Sequence, residues 1–495
     1  MATKKTALGK NLAYQMFYQA VVILAPLIVT PYLSRVLGPD ELGKYTYAFS
    51  VAYYFVLVGT LGITTHGSRR IAAVKDDPEQ LTRTYSNLFW LHLAASVTVF
   101  AAYVICSLTV FKQNRNLTLI MGFYVASTIF DVKWLFYGLE NFRVTAIRNF
   151  CVKLITICAI FLLVRTRSDI AVYTWIMAGI SFFLAEISLF VMAPRVVKLQ
   201  KPDRRELAGE FLPLLVMFIP TAGTLICRHI DKVMLGSMST FAETGFYENT
   251  DKVYVMLVTV ITVVGDVMLP HMSNMYANGK KKEADRLFSF SLQICSLTAC
   301  AFMFGIAAIA KEFVPVFFGK EFGACEILLV SIAPTILMLA WSATVRKQYL
   351  VPKNRDRVFV ISMLIGTVTD IVANALLIPR FDALGAVYGT LIAEGIIVIV
   401  QVVMTWKEIN YPFYARQTAV FCVIGAVMYL AVRGTAMLPL KGVPQLVTEI
   451  AVGGIVYVAL ALLYLRLTKN EMLVFFFDTL RKKRGKKCAA AENTD

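Results

Sequence analysis

Residues 384–406, LGAVYGTLIAEGIIVIVQVVMTW, contain one ionisable side chain, Glu394. As an α-helix this stretch would extend roughly 34 Å, enough to cross a hydrocarbon core of roughly 30 Å. Residues 396–400 and 421–430 show none of the apolar–polar alternation that a lipid-facing barrel strand requires. The stretch reads as a membrane-spanning helix. Comparable runs recur at 12–34, 45–65, 86–111, 117–138, 146–164, 170–192, 210–236, 245–269, 287–310, 325–345, 358–378, 416–433 and 444–465. The expected fold class is an all-α integral membrane protein of about 14 transmembrane helices, and the composition agrees. Of 495 residues, 58% are hydrophobic and 16% charged, against about a quarter charged in soluble domains.

The net charge is +17, from 49 Lys and Arg against 32 Asp and Glu. With the N-terminus inside, about two thirds of the basic residues fall in cytoplasmic segments, as the positive-inside rule requires. Clusters include Arg69 and Arg70, Lys198 and Lys201, 280–282, and Lys353 with Arg355. Both termini are expected on the cytoplasmic side of the membrane, with the basic run 481–487 against anionic headgroups. The excess charge thus marks topology and lipid adhesion, not nucleic-acid binding. The basic start at Lys4, Lys5 and Lys10 leads into a full span without a cleavage site, so the first span is expected to be retained. Nine scattered cysteines lack a CxxC pair or metal-ligand spacing, and no Walker motif is present. No metal or cofactor is expected, and any driving energy would come from a proton or sodium gradient.

The first and seventh spans end alike, in Tyr32-Leu-Ser-Arg-Val-Leu-Gly38 and Ile230-Asp-Lys-Val-Met-Leu-Gly236. Each is followed by a short loop and a Gly-x-Tyr start, Gly43-Lys-Tyr45 and Gly245-Phe-Tyr247. A duplication with an even number of helices per repeat gives two lobes related by an axis along the membrane normal. The expected division is 1–205 and 206–410 as six-helix lobes, 411–470 as two additional helices, and 471–495 as a basic tail. Pro26 and Pro31 in the first span, with Pro213 and Pro220 in the seventh, could bend matching helices.

Ionisable groups inside a span cost about 2.5–3.5 kcal/mol each even on the lenient insertion scale, so they face a cavity or a partner. The seventh span carries Arg228, His229, Asp231 and Lys232, and 228, 231 and 232 share one helix face. The eighth carries Asp251 and Lys252. One reading pairs them off as structural ion pairs, Asp231 with Lys252 and Asp251 with Lys232 or Arg228. The other counts three cations against two carboxylates, with Arg35 adding a fourth, and expects a cationic wall for an anion such as pyrophosphate. On the cytoplasmic side, Asp131, Lys133, Glu140 and Arg143 surround Trp134 and Tyr137, which read as interfacial anchors. Lys153 lies deeper in the fifth span. Glu186, Asp266, Asp370 and Glu394 could carry protons, or could serve structure alone.

Several strings resemble the polysaccharide-transporter branch, the oligosaccharide-lipid flippases, of the multidrug/oligosaccharidyl-lipid/polysaccharide exporter superfamily. They are Pro31-Tyr-Leu-Ser-Arg-Val-Leu-Gly-Pro39, Asp131-Val-Lys-Trp-Leu-Phe-Tyr-Gly-Leu-Glu140, Asp231-Lys-Val-Met-Leu-Gly236, Leu269-Pro-His-Met-Ser273, and Asn374-Ala-Leu-Leu-Ile-Pro379 followed by Gly385-Ala386. The resemblance implies two six-helix lobes around a cationic cavity that opens alternately to either side. It implies an undecaprenyl-pyrophosphate-linked oligosaccharide as substrate, gradient coupling, and a polymerase and glycosyltransferases of the same pathway as partners. Arg35, Arg228, Lys232, Lys252 and Lys153 would then line the substrate cavity. Asp231, Asp251, Glu186, Asp370 and Glu394 would serve as charge partners or ion-coupling groups.

A lipid II flippase and a multidrug exporter share the superfamily and remain open alternatives. A drug exporter would favour a negatively charged cavity. A membrane-embedded glycosyltransferase or polymerase would need converging acid/base or metal-binding residues on a substantial external loop. Here residues 237–244 offer Glu243, and 379–384 offer Asp382. The expected activity is secondary transport without bond making or breaking.

Overall fold

The computed structural model describes residues 2–435 and 439–468, with side chains placed except at 2–24, 113, 142, 204–205 and 219–228. The basic run 481–487 and the tail 471–495 lie outside the described residues.

The described chain is helical, in the order α1 (Ala2–Thr60), α2 (Ile63–Val74), α3 (Pro78–Thr109), α4 (Arg115–Ser127), α5 (Lys133–Gly138), α6 (Phe142–Leu163), α7 (Ile170–Trp175), α8 (Ala185–Phe190), α9 (Arg204–Met238), α10 (Phe241–Ala277), α11 (Lys281–Phe317), α12 (Cys325–Val345), α13 (Asp356–Thr405), α14 (Tyr411–Thr435) and α15 (Val443–Leu467). A π-helical stretch, Ile176–Leu184, joins α7 to α8, and another, Arg346–Leu350, extends α12. Helices satisfy their own backbone groups, which hydrocarbon cannot do.

Ten described segments are long and apolar enough to cross a membrane. Two of them run 50 residues and hold two passages each. α1 breaks at Gly38 (φ 76°), and α13 breaks at Asp382 (φ 50°). α4, of 13 residues, and α9 lie in the two remaining expected spans, so every expected span falls mostly on helix. Leu467, Ile455 and Val267 expose 76%, 70% and 70% of their surface, a liability in water and a lipid-contact surface in a bilayer.

Local chemistry sets several boundaries. Pro78 stands at the start of α3, where a missing N–H costs nothing, and Asp77 Oδ1 accepts the Glu79 and Gln80 amides at 3.0 and 3.1 Å. The expected span 117–138 is interrupted. After α4 a 3₁₀ turn, Thr128–Phe130, leads to Asp131, whose carboxylate accepts the Lys133 amide at 3.0 Å and starts α5. The break between the first two expected spans, 12–34 and 45–65, lies at Gly38, whose positive φ suits glycine.

The chain forms two compact units. The first holds residues up to Lys252 with Phe317–Leu328 and Thr367–Gly389; the second holds Val253–Val316, Leu329–Gly366 and the chain from Thr390. Part of the first unit's core is Trp134, Phe136, Leu88, Tyr85 and Ile71. Trp134 is fully buried, its ring centroid 5.4 Å from Tyr85 and its Nε1 donating to the Asp131 carbonyl at 3.1 Å. It is therefore a core residue and not an interfacial anchor; Gly67 leaves the room for its ring. In the second unit, Phe288, Leu292, Tyr349 and Leu350 form one cluster, and Cys300, Phe421, Met428 and Tyr457 another.

Candidate functional site

Two charged clusters lie within the first unit. In one, α9 and α10 bring Lys232 against Glu248 and Asp251, with Nζ–O distances of 2.6 and 2.8 Å. Lys252 reaches the other oxygen of Glu248 at 3.2 Å. Lys232 is buried and Lys252 remains about one third exposed. Asp231 accepts from Tyr247 Oη at 2.5 Å and from Asn374 Nδ2 at 2.8 Å, and makes a side-chain hydrogen bond with Asp370.

This arrangement revises the expected pairing. Asp231 does not pair with Lys252, and Glu248, absent from the sequence reading, bridges both lysines. The signal for Glu248 was its position four residues before Lys252 on one helix face. Lys232 is thus matched by two carboxylates, and the described part of this cluster has no surplus of cations. The side chain of Arg228 lies outside the described residues.

The second cluster joins α5, α6 and α8. Lys133 Nζ lies 3.1 Å from Glu186 and 3.4 Å from Asp131, and Arg148 lies 3.9 Å from Glu186. Arg148, also unforeseen, is 11% exposed at its side chain. Glu140 instead pairs with Lys75 at 2.8 Å. Lys153, half-buried in α6, makes no ion pair among the described residues.

An aromatic belt links the two clusters. Phe49 stacks on Tyr124 and Phe182 with centroids 5.5 and 5.9 Å apart, and lies 5.6 Å from the His229 ring. Tyr53 lies 4.3 Å from His229. Tyr124 is within electrostatic reach of Lys133 and Glu186, and His229 of Glu248. The order is charge, aromatic rings, charge, all inside one unit.

The repeated glycines lie at one end of this unit. A Cβ on Gly43 would fall 1.6 Å from the Phe241 carbonyl oxygen, and one on Gly245 would fall 2.0 Å from that of Pro39. Gly236 packs on the Tyr47 ring with equal intimacy, a Cβ there falling 2.4 Å from it. Nearby, Arg167 pairs with Glu321 beside Gly38, and exposed Arg35 borders Gly319. Glu394 belongs to the second unit, where it faces the charge of Arg346, and Asp266 there pairs with Lys347.

A model of the polysaccharide biosynthesis protein family matches residues 8–276. The chain is similar to a putative O-antigen transporter of Escherichia coli K12, 22% identical over 80% of this chain and 96% of that protein. It is also similar to one of Shigella dysenteriae, 18% identical over 79% and 98%. Among solved structures, the lipid II flippase MurJ in an inward closed conformation aligns with a TM-score of 0.73 at 14% identity, covering 93% of this chain and 99% of that one. An inward-facing multidrug resistance transporter of the same superfamily aligns with a TM-score of 0.59 at 14% identity, covering 80% and 94%. These likenesses give the fold.

Proposed function

The chain belongs to the polysaccharide biosynthesis protein family, and from that premise we propose that it flips an undecaprenyl-pyrophosphate-linked oligosaccharide from the cytoplasmic to the outer leaflet by alternating access. The observation that carries this reading is the interior of the first unit. Ionisable groups among membrane spans face a polar path or one another, and here aromatic faces lie between two such clusters.

Each part suits one part of the substrate. Sugar rings present C–H faces that pack on aromatic rings such as Tyr53 and Phe49. Lys153, without an ion pair among the described residues, would offer its charge to the pyrophosphate, and Lys252 and Arg35 would extend that contact. The polyprenyl tail gains nothing by leaving lipid. Asp231 and Asp370 would hold the coupling proton or sodium ion, with Asn374 as neighbour; loading that pair favours one conformation over the other. No bond is made or broken.

The test is binding of a short polyprenyl-pyrophosphate oligosaccharide to detergent-purified protein. Lys153→Met should weaken it roughly ten- to hundredfold, the range of a charge-assisted hydrogen bond. Tyr53→Ala should weaken the glycosylated ligand more than the bare polyprenyl pyrophosphate. Equal affinity of wild type and both variants would overturn the assignment.

A further inference from the structure

A cavity with polar groups in its lining lies wholly within the second unit. It is an open cleft of about 740 Å³ among the end of α10, the start of α11, residues 351–355 and Glu408. Its polar lining comes from Ser273, Tyr276, Lys281, Lys353, Asn354 and Arg355. These segments belong to the loops that the charge distribution assigns to the cytoplasm.

The three cations are held differently. Arg355 is committed to Glu408, which also accepts from Tyr349 Oη at 2.8 Å. Lys353 lies over the Tyr349 ring at 3.7 Å and the Tyr276 ring at 5.0 Å. Aromatic faces position an ammonium without neutralising it. No carboxylate lies within ion-pair distance of Lys353 or Lys281 among the described residues. Asp285, the other acid within electrostatic reach of Lys353, accepts the Tyr276 hydroxyl at 2.9 Å. Burial pushes the Lys353 ammonium below the usual lysine range despite Asp285 and Glu408. Asn354 carries its side-chain amide on a left-handed backbone, φ 55°, a conformation that costs energy in a non-glycine residue.

We infer that this cavity binds a phosphate group, presented by the headgroup of an anionic membrane lipid. Two ammonium groups without acidic partners, a hydroxyl and an amide supply the charge and donors that a phosphodiester takes. A cavity between helix ends at the cytoplasmic surface also suits a lipid whose chains stay in the bilayer. The inference depends on the membrane fold and not on which sugar, or whether any sugar, is transported.

The experiment is native mass spectrometry of the full chain released from nanodiscs of phosphatidylglycerol mixed with phosphatidylcholine. Wild type should retain phosphatidylglycerol preferentially. Lys281→Gln with Lys353→Gln should cut that preference roughly thirtyfold, the worth of two basic groups near a membrane surface. Lys280→Gln with Lys282→Gln removes equal charge outside the cavity and should leave the preference intact. Equal loss in both double variants, or no preference in wild type, overturns the site. Inorganic phosphate, added to lipid-depleted protein, separates the sources. Protection against thermal unfolding by phosphate, sensitive to the Lys281 and Lys353 changes and without lipid retention, would overturn the lipid assignment. Retention without such protection supports it.

Discussion

Gly43 and Gly245, corresponding positions of an internal repeat, each pack against the backbone that begins the other's helix. A side chain on either would meet a carbonyl oxygen, of Phe241 or Pro39, at 1.6 or 2.0 Å. Such close approach is open to glycine alone, so in both positions the sequence repeat marks a crossing of the fold. If the transporter opens at this end, the crossing would act as a seal.

Gly43→Ala and Gly245→Ala should each weaken that seal by about 1–3 kcal/mol, the usual cost of overpacking. A cysteine placed at Ser237 should then react several-fold faster with a membrane-impermeant maleimide. Gly454→Ala, where a Cβ meets nothing within 4 Å, is the control and should leave labelling unchanged.

Lys232 is buried between Glu248 and Asp251, and removing one partner of a buried pair strands the other charges. Lys232→Met should lower stability by about 3–5 kcal/mol, read as a lower melting temperature in detergent. Adding Glu248→Gln should recover part of the loss. A larger loss in the double variant would contradict the pairing.

Trp134→Ala should cost about 3–5 kcal/mol, as for a large ring removed from a packed core. An interfacial anchor would lose far less. Thermal unfolding followed by size-exclusion chromatography distinguishes the two.

Asp370→Asn and Asp231→Asn should abolish the dependence of transport on an imposed proton or sodium gradient, while Glu394→Gln, in the second unit, should retain it. Transport measured against each gradient separately identifies the ion. Gradient dependence surviving in both aspartate variants would remove the pair from the coupling role.

The spans were legible because hydrocarbon imposes one length and one composition on each of them. Gly38 was legible as part of a repeat at the junction of two spans, and the break falls there. Trp134 was misread because an indole near a charged run fits an interface as well as a core; Gly67, which admits its ring, lies far off in sequence. The intramembrane charges could be found but only partly paired: Asp251 with Lys232 was among the expected pairs, while Glu248, which also meets Lys232 and bridges to Lys252, was not. Which carboxylate meets Lys232 depends on helix rotation and depth, and Glu248 and Arg148 sit near span ends where charge is unremarkable. The contact of Asp231 with Asp370 and Asn374 joins residues more than a hundred positions apart, beyond any local pattern.

The most direct measurement reconstitutes the protein in liposomes with a short polyprenyl-pyrophosphate oligosaccharide and follows headgroup exposure to a membrane-impermeant probe. Wild type should translocate the headgroup under a proton or sodium gradient, and Lys153→Met or Lys252→Ala should slow it at least about tenfold while remaining folded. A headgroup that stays in its starting leaflet under both gradients would contradict the account.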